Sequence, residues 1–105
     1  MAEIVVIASA QAKPGRENEV LAALSGLVGP THEEEGCILY ALHRGIENPA
    51  QMAIVERWTS QEALDEHFTR PHMAALGEVI ELLEAPPSIV AYEAVPEGRE
   101  EKSRL

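Results

Sequence analysis

Apolar residues cluster in four short stretches of this chain and recur every three or four positions in the segments between them. Ile4 to Ala12 is rich in Val, Ile and Ala and reads as a first strand, broken by Lys13-Pro14-Gly15. From Arg16 the period lengthens. Val20, Ala23, Leu24, Leu27 and Val28 make one helical stripe, with Glu17 and Glu19 near its start, where acids favour the helix dipole. Gly29-Pro30 is expected to kink or end this helix, with Thr31 to Glu35 adding a turn before a stop at Gly36.

Cys37 to His43 and Gln51 to Trp58 read as second and third strands, joined as a hairpin by the turn residues Gly45-Ile46-Glu47-Asn48-Pro49. Thr59 then reads as a helix cap, with Glu62 completing a capping box. Arg70-Pro71 interrupts that helix. Thr69 can cap a new one with Pro71 in its first turn and a buried stripe of Met73, Leu76, Ile80 and Leu83. Pro86-Pro87 ends it, and Ser88 to Val95 reads as the last strand. Residues 1–95 thus form one domain. The polar stretch from Pro96 to Leu105 is expected to be a disordered tail.

The order β-α-β-β-α-β, its second helix broken in two, predicts the α+β class and a ferredoxin-like sandwich, an antiparallel sheet with helices on one face. Both faces of the strands are apolar. Ile4, Val6, Ala8 and Ala10 oppose Val5 and Ile7; Cys37, Leu39 and Ala41 oppose Ile38, Tyr40 and Leu42; Met52 and Ile54 oppose Ala53 and Val55. The helices cover only one face, and an exposed apolar sheet needs a partner. A second copy of the same sheet would supply it, giving a two-fold homodimer with a barrel-like core.

Composition narrows the class of partner. The chain has 105 residues, is 46% hydrophobic and carries a formal net charge of −10. That balance argues against nucleic acid and against anionic membrane surfaces, which both need a positive face. The side chains of the last nine residues cancel, so the rest of the chain carries the acidity. Cys37 is the only cysteine, which excludes an internal disulfide and a thiolate zinc cluster. Neither a signal peptide nor an apolar run long enough to span a bilayer is evident, and the expected location is the cytoplasm.

The segment Glu56 to His67 carries the sharpest chemical clue. Ala63, Leu64, His67 and Phe68 share one helical face, so a titratable ring points where a core residue should. His67 can serve as a general base or donate a hydrogen bond to a substrate oxygen. It can equally be satisfied by a backbone carbonyl at a helix end. Trp58 can wall a pocket or fill the core, and Glu56, on the same strand face, needs a partner such as an arginine or a histidine. His72 lies five residues from His67, which is not the i, i+4 spacing of a helical metal pair, and a local capping or interface contact is expected of it. His43 is expected to be exposed. His32 and the run Glu33-Glu34-Glu35 read as a solvated helix end. No phosphate-cradling glycine loop, serine elbow or Cys-x-x-Cys is present, and nothing implies flavin, nicotinamide or zinc.

Four segments together resemble a known family. They are Ala12-Lys13-Pro14-Gly15, Glu35-Gly36-Cys37-Ile38-Leu39-Tyr40, Glu56-Arg57-Trp58 and His67-Phe68-Thr69-Arg70-Pro71-His72-Met73. In this order and spacing, up to about Val95, the chain resembles the antibiotic biosynthesis monooxygenase domain family, which includes the quinol monooxygenases. The resemblance implies a dimeric α+β barrel with an apolar pocket between sheet and helices. Some members oxygenate hydroquinones or polyketide phenols with O2 and no metal or cofactor, a related branch degrades haem, and another isomerises a small phosphorylated sugar. The haem branch has an asparagine in its first strand, a tryptophan on the helix after the third strand and a later histidine. Here Ala8, Ser9 and Ala10, then His67, then the neighbourhood of Gly77 stand at those places, so haem degradation is not expected.

The leading reading is a cytoplasmic, homodimeric, cofactor-independent oxygenase of a small aromatic or quinol-like substrate with O2. His67 is its acid-base group, and Trp58, Phe68, Met73, Leu76, Glu56 and Tyr40 are its substrate-binding residues. No metal or cofactor is expected. Two alternatives stand beside it. One is an isomerase of a small carbonyl compound, with Arg57 and Arg70 as the nearest groups for a phosphate. The other is a non-catalytic ligand-binding or stress-response dimer.

Overall fold

A computed structural model describes residues 3–105. Four strands, β1 (Ile4–Gln11), β2 (Cys37–Arg44), β3 (Gln51–Trp58) and β4 (Ser88–Tyr92), form one sheet in the order β2-β3-β1-β4. Every neighbouring pair is antiparallel, which is the ferredoxin-like arrangement. Helix α1 (Glu17–His32) crosses one face of the sheet. After β3 come α2 (Gln61–His67), a 3₁₀ turn (Pro71–Ala75) and a short α3 (Leu76–Ile80). No helix among the described residues is long and apolar enough to cross a membrane.

Pro30 does not end α1. It lies inside the last turn, and Val20, Leu24, Leu27 and Thr31 remain on the buried side. A proline near a helix C-terminus costs one hydrogen bond where the helix is about to finish. Tight i→i+3 bonds follow: Glu33 N–H to the Pro30 carbonyl at 3.2 Å and Glu34 N–H to that of Thr31 at 3.0 Å. These turn the chain back toward the sheet, where Cys37 N–H bonds to the Glu34 carbonyl at 3.1 Å. Gly36 is required here, because a Cβ at this position would overlap that of Ala63 in α2. This close approach lays the turn after α1 against α2.

The cap of α2 is Ser60, one residue later than Thr59. Its backbone is extended and its hydroxyl accepts from Ala63 N–H at 3.1 Å. The expected cap at Thr69 is also absent. Its hydroxyl donates instead to the Glu66 carbonyl at 2.7 Å, and Arg70 leads into the turn at Pro71 with no side-chain cap. A 3₁₀ turn has three residues per turn. The buried positions accordingly run Met73, Val79 and Leu83, with Leu76 half-buried, while Ile80 is exposed. An unbroken α-helical phase from Pro71 onward would put Ile80 inside; the 3₁₀ turn rotates it out.

The core lies between sheet and helices and contains Val6, Leu24, Leu27, Met52, Ile54, Trp58, Leu64, Val79 and Leu83. The opposite sheet face is apolar and open. In register, Ile7 lies between Val55 and Val90, and Val5 lies beside Tyr92. Ile7, Val90 and Tyr92 are each more than 40% exposed. Beyond β4, Glu100–Lys102 form a 3₁₀ turn, and Arg57 donates to the Leu105 carbonyl at 2.9 Å.

Candidate functional site

The site begins with a row across the middle of the sheet. Val6, Glu56 and Tyr40 are direct neighbours on β1, β3 and β2, so all three side chains project toward the helices. Trp58, two residues after Glu56, shares that face and is fully buried. Its indole Nε1–H donates to Glu56 Oε1 at 2.8 Å, so the partner expected for this buried carboxylate is an indole, neither an arginine nor a histidine. Burial raises the Glu56 carboxyl to about 7, against the smaller opposing effect of the indole bond. Tyr40 is driven well above the ordinary phenol range by burial and by Glu56 and Glu34 nearby.

His67, the last residue of α2, is buried on top of this row. Its ring lies 4.6 Å from that of Trp58, 5.6 Å from that of Tyr40 and 5.2 Å from that of Phe68, centroid to centroid. Nδ1 lies 2.8 Å from Glu34 Oε2. A carboxylate accepts, so Nδ1 carries the proton and Nε2 is left for the cavity. Burial lowers the pKa of His67, and the bond to Glu34 opposes the shift without reversing it. The neutral ring, able to take a proton, is therefore the resting form near neutral pH.

Glu34 is buried, whereas the sequence suggested a solvated position within Glu33-Glu34-Glu35. The turn after Pro30 and the close approach at Gly36 bring it inward. The same Oε2 also accepts from His72 Nε2 at 2.8 Å, and Arg70 Nε lies 3.8 Å from Oε1. His72 is thus bound to a residue 38 positions away, not in a local cap. On one continuous helix, two histidines five apart would diverge. The break at Pro71 turns His72 back toward the same carboxylate. Glu34 Oε2, His67 Nδ1 and His72 Nε2 lie within 4.8 Å of one another, the single such donor cluster found among the described residues. The one oxygen takes both N–H groups, so the three donors are spent on each other.

A cavity of about 50 Å³ lies against His67. Tyr40, Glu56, His67, Phe68, Met73 and Leu76, all named from the sequence, line it together with Ala8, Leu24, Ile54 and Ile89. Its surface is almost wholly apolar apart from the three titratable groups Tyr40, Glu56 and His67. Trp58 is not in the lining but sits one layer behind, its ring tilted 42° against that of His67. Phe68 and Ile89 line the cavity and are also 45% exposed each, so the mouth lies between α2 and β4. Arg57 and Arg70 are elsewhere. Arg57 is bonded to Glu3 and the Leu105 carbonyl, and Arg70 pairs with Glu34 and Glu66. Neither lines the cavity, so the phosphate contacts that an isomerase reading needs are missing from it. Elsewhere, His32 is exposed but bonds through Nε2 to the Tyr40 carbonyl at 2.9 Å, and His43 is exposed at the end of β2. Cys37 is raised by burial to about 11, which leaves its thiol protonated and unreactive.

Comparison with known proteins agrees with this architecture. The family profile described as "Antibiotic biosynthesis monooxygenase" matches residues 3–79. A Mycobacterium tuberculosis protein named "Putative monooxygenase Rv0793" is 30% identical over 96 residues, which is 90% of this chain and 94% of that protein. The solved structure of Rv0793 superposes with a TM-score of 0.86 at 29% identity, covering 93% of this chain and all of the other. A conserved protein from Methanosarcina mazei Go1 gives a TM-score of 0.82 at 31% identity, over 88% of this chain and 92% of that one.

Proposed function

This chain belongs to the antibiotic biosynthesis monooxygenase family, and from that premise we propose that it is a cofactor-independent monooxygenase of a hydroquinone-like or polyphenolic small molecule. The observation that carries this reading is His67: its Nδ1 is held 2.8 Å from a buried carboxylate while its ring lines an apolar cavity. Nε2 takes the phenolic proton of the substrate. The phenolate is electron-rich and passes one electron to O2, and the phenoxyl radical and superoxide then combine at a ring carbon. The substrate supplies every electron, and the apolar walls keep water from the intermediates. Phe68, Met73, Leu76 and Tyr40 would hold the ring, and Trp58 would fix the plane of His67 from behind. A cavity of about 50 Å³ is far below the roughly 300 Å³ of an ordinary ligand site, so binding requires the short helical turns carrying Phe68, Met73 and Leu76 to move outward.

The reading makes the protein a cytoplasmic homodimer. Its support is the open apolar face centred on Ile7. Ile7→Lys would place an ammonium in the middle of that interface, between Val55 and Val90. The expected result by light scattering is half the wild-type mass with an unchanged circular dichroism spectrum. A wild-type mass for the variant would move the interface elsewhere.

The test of the activity is turnover under ¹⁸O2 with a panel of hydroquinones. One labelled oxygen in the product and one in water is the expected outcome. Oxidised product without label would make the protein an oxidase, and an absence of O2 uptake across the panel would sink the oxygenase reading.

A further inference from the structure

We propose that Glu56 is the proton donor of the cavity, giving its carboxyl proton to the oxygen atom that leaves as water while His67 takes protons from the substrate. The inference rests on the oxygenase reading above and assigns the half of the proton chemistry that His67 alone leaves open.

A monooxygenation without a cofactor ends in a demanding step. The substrate hydroperoxide must lose the hydrogen on the carbon that carries the O–O group, and the O–O bond must break. The C–H electron pair becomes the second bond of a carbonyl, and the O–O pair departs on the distal oxygen. Hydroxide is a poor leaving group in an apolar cavity, so an acid is needed at the distal oxygen as well as a base at the C–H. The histidine has by then returned the phenolic proton to the peroxide and is neutral, free to act as that base. With the acid supplied by Glu56, the products are a quinone carbonyl and one water. The proton on His67 then passes back to the Glu56 carboxylate, and both groups end as they began. Phenol plus O2 gives quinone plus water with no proton left over.

The geometry selects Glu56. It is buried on the sheet directly beneath the cavity and lines it. One oxygen is held by the Trp58 indole at 2.8 Å, which fixes the carboxyl plane, and the other has no protein partner among the described residues. Its neighbours with titratable side chains are Tyr40 and Cys37 on β2, Glu34 after α1, and His67 on α2. β1 and the 3₁₀ turn present it with Val6 and Met73, which carry no charge. No cation pairs with it, so burial and the nearby Glu34 hold the carboxyl proton up to about neutral pH. Glu56 and His67 are thereby displaced in opposite senses, which is the pattern that lets one cavity hold an acid and a base together.

Glu56→Gln tests this, because an amide oxygen can still accept the Trp58 bond while carrying no transferable proton. Two measurements are made on the full chain. With ¹³C-labelled glutamate, wild type is expected to show one side-chain carboxyl titrating near pH 7 that is absent from the variant. With the best hydroquinone, kcat is expected to fall roughly 100-fold and to lose the decline at high pH that deprotonation of Glu56 imposes on wild type. The proposal is overturned if no carboxyl titrates above about pH 6, or if Glu56→Gln turns over at the wild-type rate with the wild-type basic limb. A wild type inactive on every substrate sinks the oxygenase reading and the donor together. An active wild type matched by Glu56→Gln sinks the donor alone.

Discussion

His67→Ala is expected to leave a folded protein whose hydroquinone-dependent O2 uptake has fallen by roughly 10²- to 10⁴-fold. The loss comes from the base itself, because neither of the other titratable side chains in the cavity is a fully available base at neutral pH. Glu56 is about half protonated there, and Tyr40 holds its proton. Burial depresses the His67 pKa, so the neutral ring persists below the ordinary histidine range and the acid limb of the rate profile should lie below pH 6.5. Stability follows the same sign. A depressed folded pKa means that the contribution of the neutral buried ring is present above about pH 6.5 and is lost as the pH falls through the folded value. Glu34→Gln keeps an acceptor for Nδ1 but removes the charge that opposes the depression. It should lower kcat less than His67→Ala and move the acid limb further down. His67→Gln guards against a truncation that merely unfolds the site. If both His67 variants consume O2 at the wild-type rate, the base is another group.

Trp58→Ala is expected to destabilise the protein by about 3–5 kcal/mol in urea unfolding. That is a large share of the 5–15 kcal/mol available to a typical domain. Trp58 is fully buried, packs against His67 and donates the one hydrogen bond found for Glu56 among the described residues. The loss should also depend on pH. The Glu56 carboxyl is raised, so its contribution is complete below its unfolded pKa of about 4.5 and is lost as the pH rises through about 7. At pH 5 the carboxyl is protonated in both proteins, and the variant loses packing and a weak bond. At pH 8 wild type holds a carboxylate against an indole N–H, while the variant keeps the buried carboxylate without that donor, so its penalty is larger. Trp58→Phe keeps most of the ring and removes only the N–H, isolating the pH-dependent part. A loss below 1 kcal/mol for Trp58→Ala would show that the indole does not anchor the core, and a loss equal at pH 5 and pH 8 would show that it does not hold Glu56.

The sequence alone determined the architecture. Apolar runs over Ile4 to Ala12, Cys37 to His43 and Gln51 to Trp58, with helical stripes between them, fix the type and order of the elements. The order of elements then leaves few ways to close a sheet. It also brought out His67, Glu56, Tyr40, Phe68, Met73 and Leu76, because polar or aromatic residues at core phase stand out in a periodic pattern, and these six do line one cavity. The convergence of Glu34 and His72 on His67 came only from the tertiary structure. Local pattern makes Glu34 one of three successive acids at a helix end and His72 a residue on the wrong face of a helix. The turn after Pro30, the close approach that only Gly36 permits and the 3₁₀ turn at Pro71 each change direction by a small backbone adjustment that periodicity does not record. The same is true of Trp58, which lies behind the cavity wall, and of Ile80, which the 3₁₀ turn rotates to the surface. Periodicity states which side of an element is dry. Which polar atoms meet there depends on the ends of elements, where tertiary contacts outweigh local propensity.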